Sequence, residues 1–273
     1  MTVDVEDYFQ VSVFEGVVPR ERWESMESRV QANTERLLNL FDEFAVKGTF
    51  FVLGWVAERY PSLVRAIVAR GHELASHGYA HRLIYEQTPD EFRQDVRRAK
   101  ALLQDTGGVD VLGYRAPSFS VTRQSMWALD VLLDEGYCYD ASIFPIRHDR
   151  YGIPDAPRWP HHVECAGGRI YEVPCSTVRV GGTNLPVAGG GYFRLLPYAW
   201  TRWGLARLNT QGQPAIFYLH PWELDPAQPR LPVNALGRFR HYHNLHKTEA
   251  RLRALMRDFR FGPLNAVLSG CAS

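Results

Sequence analysis

Acidic and histidine side chains gather in a few short stretches that could hold a metal ion. The sequence TVDVEDYF places Asp4, Glu6 and Asp7 within four residues, and HGYAH places His77 and His81 four residues apart. Three acids so close together would repel one another unless a positive group lay among them. Two imidazoles and one carboxylate are a common protein share of a catalytic Zn²⁺ site. The two stretches together therefore predict a divalent metal site.

Each stretch also has an ordinary structural interpretation. The acids could be solvated turn charges, and a histidine pair with this spacing can arise by chance in a chain with ten histidines. His77 and His81 could share one face of a helix, but the preceding ELAS indicates a strand and Gly78 is unfavourable inside a helix. A loop that carries both imidazoles is therefore expected.

Strands and helices alternate along the chain. The sequence TPDEF has Thr88 as an N-cap, proline at the first helical position and Glu91 three residues after the cap, which predicts a helix to about residue 106. Other helices are predicted over 30–44, 55–70, 122–135, 198–209 and 247–259. Strands are predicted at 3–5 and at TFFVLG, GHELASH, VLGYRAP, YCYDAS, RIYEVP, STVRV and AIFYL. The expected fold class is α/β, with a parallel sheet covered by helices.

Polar residues follow five of these strands directly. The stretches are TVDVED, ELASHGYAH, GYRAPSF, YDASIFP and FYLHPWE. Because the carboxyl ends of parallel strands meet at one edge, the acids, the histidines and Arg115 would collect there. That edge carries the catalytic groups of (β/α) barrels.

Composition excludes several classes of partner. With a net charge of +1, the chain lacks the basic excess typical of proteins that bind nucleic acids or anionic membranes. No apolar run of about 18 residues indicates a membrane span, no leader precedes the first motif, and a cytoplasmic protein is expected. The irregularly spaced Cys138, Cys165, Cys175 and Cys271 are expected to be buried or incidental thiols. The oligomeric state stays open.

The five strand-end stretches resemble, in order and spacing, the motif series of the polysaccharide deacetylase (NodB-homology) family of carbohydrate esterases, near its peptidoglycan-deacetylase and allantoinase-like branch. IYEVPCSTVRV, GGGYFRLLP and RFRHYHNLHKTEARLRALMRDFRF resemble more narrowly the subgroup associated with exosortase-type exopolysaccharide loci. The resemblance covers essentially the whole chain. It implies a distorted (β/α) barrel of about seven parallel strands, as one domain over 1–273 with a subgroup-specific extension from about residue 225.

The resemblance also implies roles for individual residues. Asp4 would be the catalytic base and His220 the general acid. Arg115, aimed by a turn at Pro117, would orient Asp4, and Asp140 would orient His220. Glu223 is expected to begin a helix or to support the site, and His241 is assigned to structure.

The metal ligands implied by the resemblance are His77 and His81 with one acid. Most family members begin with adjacent aspartates, whereas DVED offers Glu6 or Asp7. Glu6 has the strand phase of Asp4, and Asp7 has the family's residue type. Zn²⁺ is the expected ion, and Co²⁺ or Ni²⁺ would suit the ligands nearly as well. Gly78 replaces the usual serine or threonine, which removes a hydroxyl that could brace the loop.

Aromatic residues near the strand ends could contact sugar rings. The candidates are Phe119, Tyr192 and Trp222, beside Pro117. Tyr192 follows three glycines that are expected to form a flexible loop.

The leading hypothesis is therefore an N-deacetylase acting on an N-acetylhexosamine-containing polysaccharide. The alternatives are hydrolysis of a cyclic amide and a carbohydrate-binding protein whose catalytic groups have decayed.

Overall fold

The computed structural model describes residues 1–268, which are organised around a curled sheet. The strands in that range are β1 (Thr2–Val5), β2 (Thr49–Val52), β3 (Glu73–Ser76), β4 (Gly113–Tyr114), β5 (Tyr139–Asp140), β6 (His161–Cys165), β7 (Gly168–Glu172), β8 (Thr177–Val180), β9 (Thr183–Pro186) and β10 (Tyr218–Leu219). Eight of them form the main sheet in the order β10-β1-β2-β3-β4-β5-β7-β6. Strands β8 and β9 form a separate antiparallel pair.

Seven strands of the main sheet run parallel, from β10 at one edge to β7, and β6 adds an antiparallel edge. The expected α/β class with about seven parallel strands is confirmed. Within residues 1–268 the sheet has open edges at β10 and β6, so it forms a half-barrel rather than a closed ring. All seven parallel strands therefore present their carboxyl ends on the same side.

Helices cover the outer face of the sheet. Those in residues 1–268 are α1 (Val30–Glu43), α2 (Gly54–Arg59), α3 (Pro61–Ala69), α4 (Pro89–Gly107), α5 (Trp127–Asp134), α6 (Gly190–Leu195), α7 (Tyr198–Thr210), α8 (Ala235–Tyr242) and α9 (Leu245–Asp258). The single helix predicted over 55–70 is two helices, because Pro61 begins a new one. The helix predicted from residue 122 begins at Trp127. No helix of the described chain combines the length and apolar character needed to cross a membrane.

Helix α4 begins with the predicted capping box. The Thr88 hydroxyl accepts a hydrogen bond from the Glu91 backbone N–H at 3.3 Å, and the Glu91 carboxylate accepts one from the Thr88 N–H at 2.8 Å. Gly108 ends the helix with a φ of 66°. Two of the otherwise unpaired N–H groups at the helix start are thus satisfied.

The alternation of side chains along the strands directs polar groups into the curled sheet. Phe50 and Val52 pack in the main core beneath the helices, whereas Phe51 lies in a second cluster with Ala75. Residues paired across neighbouring strands project to the same side, and Asp4 pairs with Phe51. Strand β1 therefore places Asp4 on the concave side.

The cysteines in the described chain are free thiols. Cys175 is buried, Cys138 and Cys165 are half-buried, and Cys271 lies outside the described residues. The expectation of buried or incidental thiols is confirmed for these three.

Candidate active site

The candidate site lies at the carboxyl edge of the parallel sheet. Asp4 is in β1 and Glu6 follows it, His77 follows β3, Arg115 follows β4, and His220 follows β10. These strands are neighbours or near neighbours in the sheet. One edge thus brings together side chains that are more than 200 residues apart in sequence.

Glu6, His77 and His81 form a buried cluster of potential metal ligands. One ligand atom from each residue lies within 4.8 Å of the other two. Oε2 of Glu6 is 2.7 Å from Nε2 of His81 and 3.9 Å from Nε2 of His77. This oxygen is buried and has no hydrogen-bond partner in the described chain. A buried carboxylate oxygen facing two imidazole nitrogens fits a divalent cation, and two nitrogens with one oxygen suit Zn²⁺.

The surroundings prepare His77 to act as a ligand. Its Nδ1 lies 2.8 Å from the Arg115 carbonyl oxygen, which can only accept, so Nδ1 carries the hydrogen and Nε2 keeps its lone pair. Burial lowers the pKa of His77 to about 4. Burial would raise the pKa of Glu6, but His81 and His220 outweigh it and hold that pKa well below its usual range. At pH 7 the cluster thus offers a neutral ring and a carboxylate.

Asp7 lies apart from the two histidines. Its Oδ2 accepts hydrogen bonds from the Ser28 hydroxyl at 2.7 Å and from the Arg29 and Val30 backbone N–H groups at 2.8 and 3.0 Å. These N–H groups lie at the start of α1, where a carboxylate is favourable. Of the two acids left open by the sequence, Glu6 is the one beside the histidines.

Asp95 braces the loop that carries His77 and His81. Its Oδ2 accepts a hydrogen bond from the Tyr79 backbone N–H at 2.8 Å. Gly78 has a φ of 73°, and a Cβ there would lie 2.8 Å from the same oxygen. A carboxylate from α4 thus occupies the space that a hydroxyl-bearing side chain at position 78 would need. The sequence analysis missed Asp95, and its only signal was an acid next to the buried Val96.

Arg115 fixes one oxygen of Asp4. The guanidinium is fully buried and donates to Oδ1 of Asp4 at 2.8 Å and to the Thr2 hydroxyl at 2.7 Å. Its Nε donates to the Ala141 carbonyl at 3.1 Å. Oδ2 of Asp4 lies on the side of His220, 3.9 Å from Nε2. The arrangement matches the orienting contact that the resemblance implies for Arg115.

Glu223, and not Asp140, orients His220. Oε1 of Glu223 is 2.8 Å from Nδ1 of His220, and Oε2 accepts from Nε of Arg194 at 2.6 Å. Burial lowers the pKa of His220, but Glu223, Glu6 and Asp4 outweigh it and raise the pKa to about 9. Burial likewise raises the pKa of Glu223, yet Arg194 and His220 lower it to about 2. Nε2 of His220 therefore points towards Asp4 and Glu6.

The sequence offered a signal for Glu223 but none for Arg194. His220 and Glu223 have the spacing of a capping box, and both of its hydrogen bonds are present. Arg194 lies on α6, is 3% exposed, and also donates to the carbonyls of His241 and His243. These contacts are made through folding of the C-terminal region, which no local pattern predicts.

The predicted contact of Asp140 with His220 is wrong. Asp140 lies at the end of β5, where it accepts hydrogen bonds from the hydroxyl and the backbone N–H of Ser142. Its carboxyl group also pairs with that of Glu172. Burial raises the pKa of both acids, so the two share a proton inside the protein. Ser142 in turn accepts from the Ala116 N–H, next to Arg115.

Trp222 has no free face for a sugar ring, so this part of the sequence prediction is wrong. The side chain is 4% exposed and stacks on His220 and His241 at centroid distances of 5.1 and 4.2 Å. Its Nε1 donates to Oε1 of Glu6 at 3.2 Å. Trp222 therefore supports the acid and the metal cluster from behind.

The other aromatic candidates belong to one cluster beside His220. Phe119 is buried and meets Tyr218 at 4.9 Å, and Tyr218 meets His220 at 5.9 Å. Pro117 is buried at the start of the short turn that carries Phe119. Tyr192 is half-buried, so it keeps a surface that a substrate could contact.

The glycines before Tyr192 do not form the flexible loop that the sequence predicted. Gly190 and Gly191 begin α6, and a Cβ on Gly189 would lie 1.9 Å from the Tyr218 carbonyl oxygen. Close contact between backbones, not mobility, is the reason for glycine at position 189.

The segment between β1 and α1 covers the metal side of the site. Arg20 donates to the carbonyls of Ala80 and His81 at 2.8 and 3.2 Å, and the Ser12 hydroxyl bonds that of Ser118. The cavity between this segment and His81 is only about 10 Å³. The side chain of His220 is 18% exposed and is the most open member of the site. Substrate would therefore approach past His220.

The fold and the cluster define a class: an α/β protein with a curled parallel sheet and a group of two histidines and one carboxylate at its carboxyl edge. Residues 23–132 match the family described as polysaccharide deacetylase. The chain therefore contains a polysaccharide deacetylase domain, and the resemblance read from its motifs is confirmed at that level. Residues 141–269 match a second family, described as a domain of unknown function, DUF3473.

Individual proteins agree with this assignment. The chain is 29% identical over 98 residues to a peptidoglycan-N-acetylglucosamine deacetylase of Bacillus cereus, an alignment that covers 36% of each chain. It spans less than half the length of the curated relatives it matches.

Two solved structures share the fold. The first is a protein from Mycobacterium smegmatis assigned as a polysaccharide deacetylase, with a TM-score of 0.61 and 23% identity over 98% of this chain and 87% of that one. The second is Puue allantoinase, with a TM-score of 0.59 and 18% identity over 94% of this chain and 81% of that one.

Proposed function

We propose that the protein is a metal-dependent hydrolase that removes N-acetyl groups from N-acetylhexosamine units of a polysaccharide. The observation that supports it most directly is the buried cluster of Glu6, His77 and His81 beside Asp4 and His220. The deacetylase domain supports the same reaction, and the Bacillus cereus relative supports an N-acetylglucosamine substrate. The resemblance to exosortase-associated proteins suggests modification of an exopolysaccharide as its setting.

Glu6, His77 and His81 would hold the metal ion. When bound, a divalent ion such as Zn²⁺ would polarise the acetyl carbonyl and lower the pKa of the attacking water. His77 would bind through Nε2, because its Nδ1 is engaged with the Arg115 carbonyl. Glu6 would bind through Oε2, the oxygen that lacks a hydrogen-bond partner in the described chain.

Asp4 would serve as the general base. Arg115 holds Oδ1, so Oδ2 is the oxygen left to accept the proton of the attacking water. Water oxygen then bonds to the acetyl carbon. Because Arg115 is fully buried and held by Thr2 and Ala141, Asp4 is fixed before substrate arrives.

His220 would serve as the general acid. With a pKa raised to about 9, it is protonated at pH 7 and can give its Nε2 proton to the sugar nitrogen. The carbon–nitrogen bond breaks, acetate forms, and the sugar keeps a free amine. The proton that Asp4 accepts later returns to solvent, which restores both groups.

Acetate release from an N-acetylglucosamine oligomer, with and without a chelator, tests this proposal. We expect release that a chelator abolishes and added Zn²⁺ restores. His220→Ala should lose about 10²- to 10⁴-fold in kcat and keep its metal. His246→Ala, which changes an exposed histidine on α9, should match the wild type.

Two results would contradict the proposal. Ring opening of a cyclic amide without acetate release from sugars would identify the allantoinase-like alternative. Binding of the oligomer by metal-loaded protein without acetate release would identify a carbohydrate-binding protein whose catalytic groups have decayed.

A further inference from the structure

We propose that a groove along α8 binds the acidic part of a carbohydrate chain, so that the substrate of the proposed deacetylase is an anionic polysaccharide. The groove has a volume of about 930 Å³ and is lined by Arg230, Arg238, Phe239, Tyr242 and His243, among others. This volume is in the range of ligand-binding clefts, roughly 300–1,000 Å³. The inference rests on the proposed function and names the class of substrate.

The groove carries positive charge that the protein does not neutralise. Residues 229–243 include three arginines and two histidines and no acidic residue. Arg240 pairs with Asp149 at 3.3 Å. Arg230 and Arg238 are exposed and have no carboxylate partner among residues 1–268. In a chain whose net charge is only +1, two unpaired arginines in one groove favour an anionic ligand.

The same groove offers aromatic surface. Phe239 is 46% exposed and packs beside His243 at a centroid distance of 4.7 Å. The Arg230 guanidinium lies 4.2 Å from the ring centre of Tyr242, which holds its planar fork over the groove. A guanidinium fork matches a carboxylate in a bidentate manner. Aromatic faces beside such forks suit sugar rings that carry carboxylates.

Contacts between rings connect the groove to the catalytic site. Trp222 stacks on both His220 and His241, and His241 meets Tyr242 at 4.6 Å. The helix α8 thus has His241 towards the general acid and Tyr242 towards the groove. A polymer lying in the groove would be about one helix diameter, roughly 10 Å, from His220. That distance is two or three sugar units, so one chain could occupy both places.

Direct binding of an acidic oligosaccharide without N-acetyl groups tests the inference. We would titrate the full chain with oligogalacturonate of about six sugars and with a neutral glucose oligomer of equal length. We expect oligogalacturonate to bind at least about tenfold more tightly, and its binding to weaken as salt rises from roughly 50 to 300 mM. The double variant Arg230→Gln/Arg238→Gln should lose this preference.

Matched variants separate the groove from general charge. Arg179→Gln removes an exposed arginine on β8, outside the groove, and should bind oligogalacturonate like the wild type. Because Arg230 and Arg238 make no ion pair in the described chain, the double variant should unfold at the wild-type temperature. Equal binding of the two sugars, or unchanged binding by the double variant, would overturn the inference. A glutamate peptide that binds as tightly as oligogalacturonate would also overturn it and would indicate a protein partner.

The groove and the proposed activity can fail separately. Acetate release from neutral N-acetylglucosamine oligomers, with no preference for acidic sugars, would remove the groove and leave the deacetylase. Arginine-dependent binding of oligogalacturonate by a protein that releases no acetate would do the opposite.

Discussion

At the scale of single residues, the orientation of His220 depends on Glu223. The carboxylate contacts both Nδ1 and the backbone N–H of His220, and Arg194 holds its other oxygen. Glu223 is 1% exposed, so its charge acts on the imidazole with little screening by water. The general acid is thus prepared by two residues that do not touch the metal cluster.

Glu223→Gln is expected to shift the pH profile of deacetylation. The Glu223 charge helps to raise the pKa of His220 to about 9, and its loss lowers that pKa. Since the protonated ring is the active form, the fall of kcat at alkaline pH should begin at lower pH in the variant. At pH 7 we expect kcat about 10- to 100-fold lower with little change in KM.

Both forms must be loaded with the same metal for this comparison, because a bound cation also lowers the pKa of His220. Metal content measured beside kcat is the control. A variant whose pH profile superimposes on that of the wild type would show that Glu223 does not tune the acid.

A second buried carboxyl pair, Asp140 and Glu172, affects stability. Burial and the neighbouring carboxyl raise the pKa of Glu172 well above its usual value. The folded protein thus holds a proton that the unfolded chain releases near pH 4.3, and stability is lost as pH rises above that value. Glu172→Gln keeps a donor towards Asp140 without this loss.

We therefore expect Glu172→Gln to gain stability relative to the wild type as pH rises from 5 to 8, by roughly 2–4 °C in Tm. Thermal unfolding at the two pH values measures it. An equal difference in Tm at both pH values would contradict proton sharing.

The identities of the reactive residues could be predicted from the sequence, but their partners could not. Aspartate, histidine and arginine at strand ends locate the site, because parallel strands share one carboxyl edge. The choice between Asp140 and Glu223 depends on how the chain turns after β5 and β10. Likewise, Asp7 and Glu6 are adjacent in sequence, and only the position of α1 gives them different tasks.

At the scale of elements, the short strand β10 is positioned by Gly189. The backbone of Gly189 lies against that of Tyr218 with a φ of 113°, and any Cβ would meet the Tyr218 carbonyl oxygen at 1.9 Å. His220 follows this two-residue strand directly. The placement of the general acid thus depends on a glycine about thirty residues earlier.

Gly189→Ala is expected to lower the free energy of unfolding by roughly 2 kcal/mol or more and to reduce kcat, since the contact must open. Gly191→Ala is the matched control, because a Cβ there meets nothing closer than 3.9 Å. Chemical denaturation of both variants measures the effect. Equal stability of the two variants would contradict this role of Gly189.

Elements with strong local signals were predicted, and those that depend on packing were not. The capping box gave the start of α4 to the residue. Helix α6 begins with two glycines, which have poor helix propensity, and forms because Phe193 and Arg194 are buried against the rest of the chain. Strand β6, half exposed along its length, lacked the apolar pattern that marks a buried strand.

At the scale of the whole molecule, the two families meet at the site. The deacetylase match over 23–132 includes His77, His81 and Arg115, whereas His220, Glu223 and Arg194 lie in the DUF3473 match over 141–269. The proposed metal cluster and the proposed acid thus come from different halves of the chain. The alternation of strands and helices was sufficient to predict the class of fold, because few arrangements bury such elements. It could not predict the edge strand β6, which lies outside that alternation.

The metal content of purified protein tests the central claim most directly. Elemental analysis would compare the wild type, His77→Ala and the control His246→Ala after incubation with Zn²⁺ and removal of excess ion. The account predicts about one ion per chain in the wild type and in the control, and close to none in His77→Ala, because two ligands of the cluster are too few to hold it. No metal in the wild type, or equal metal in His77→Ala, would contradict it.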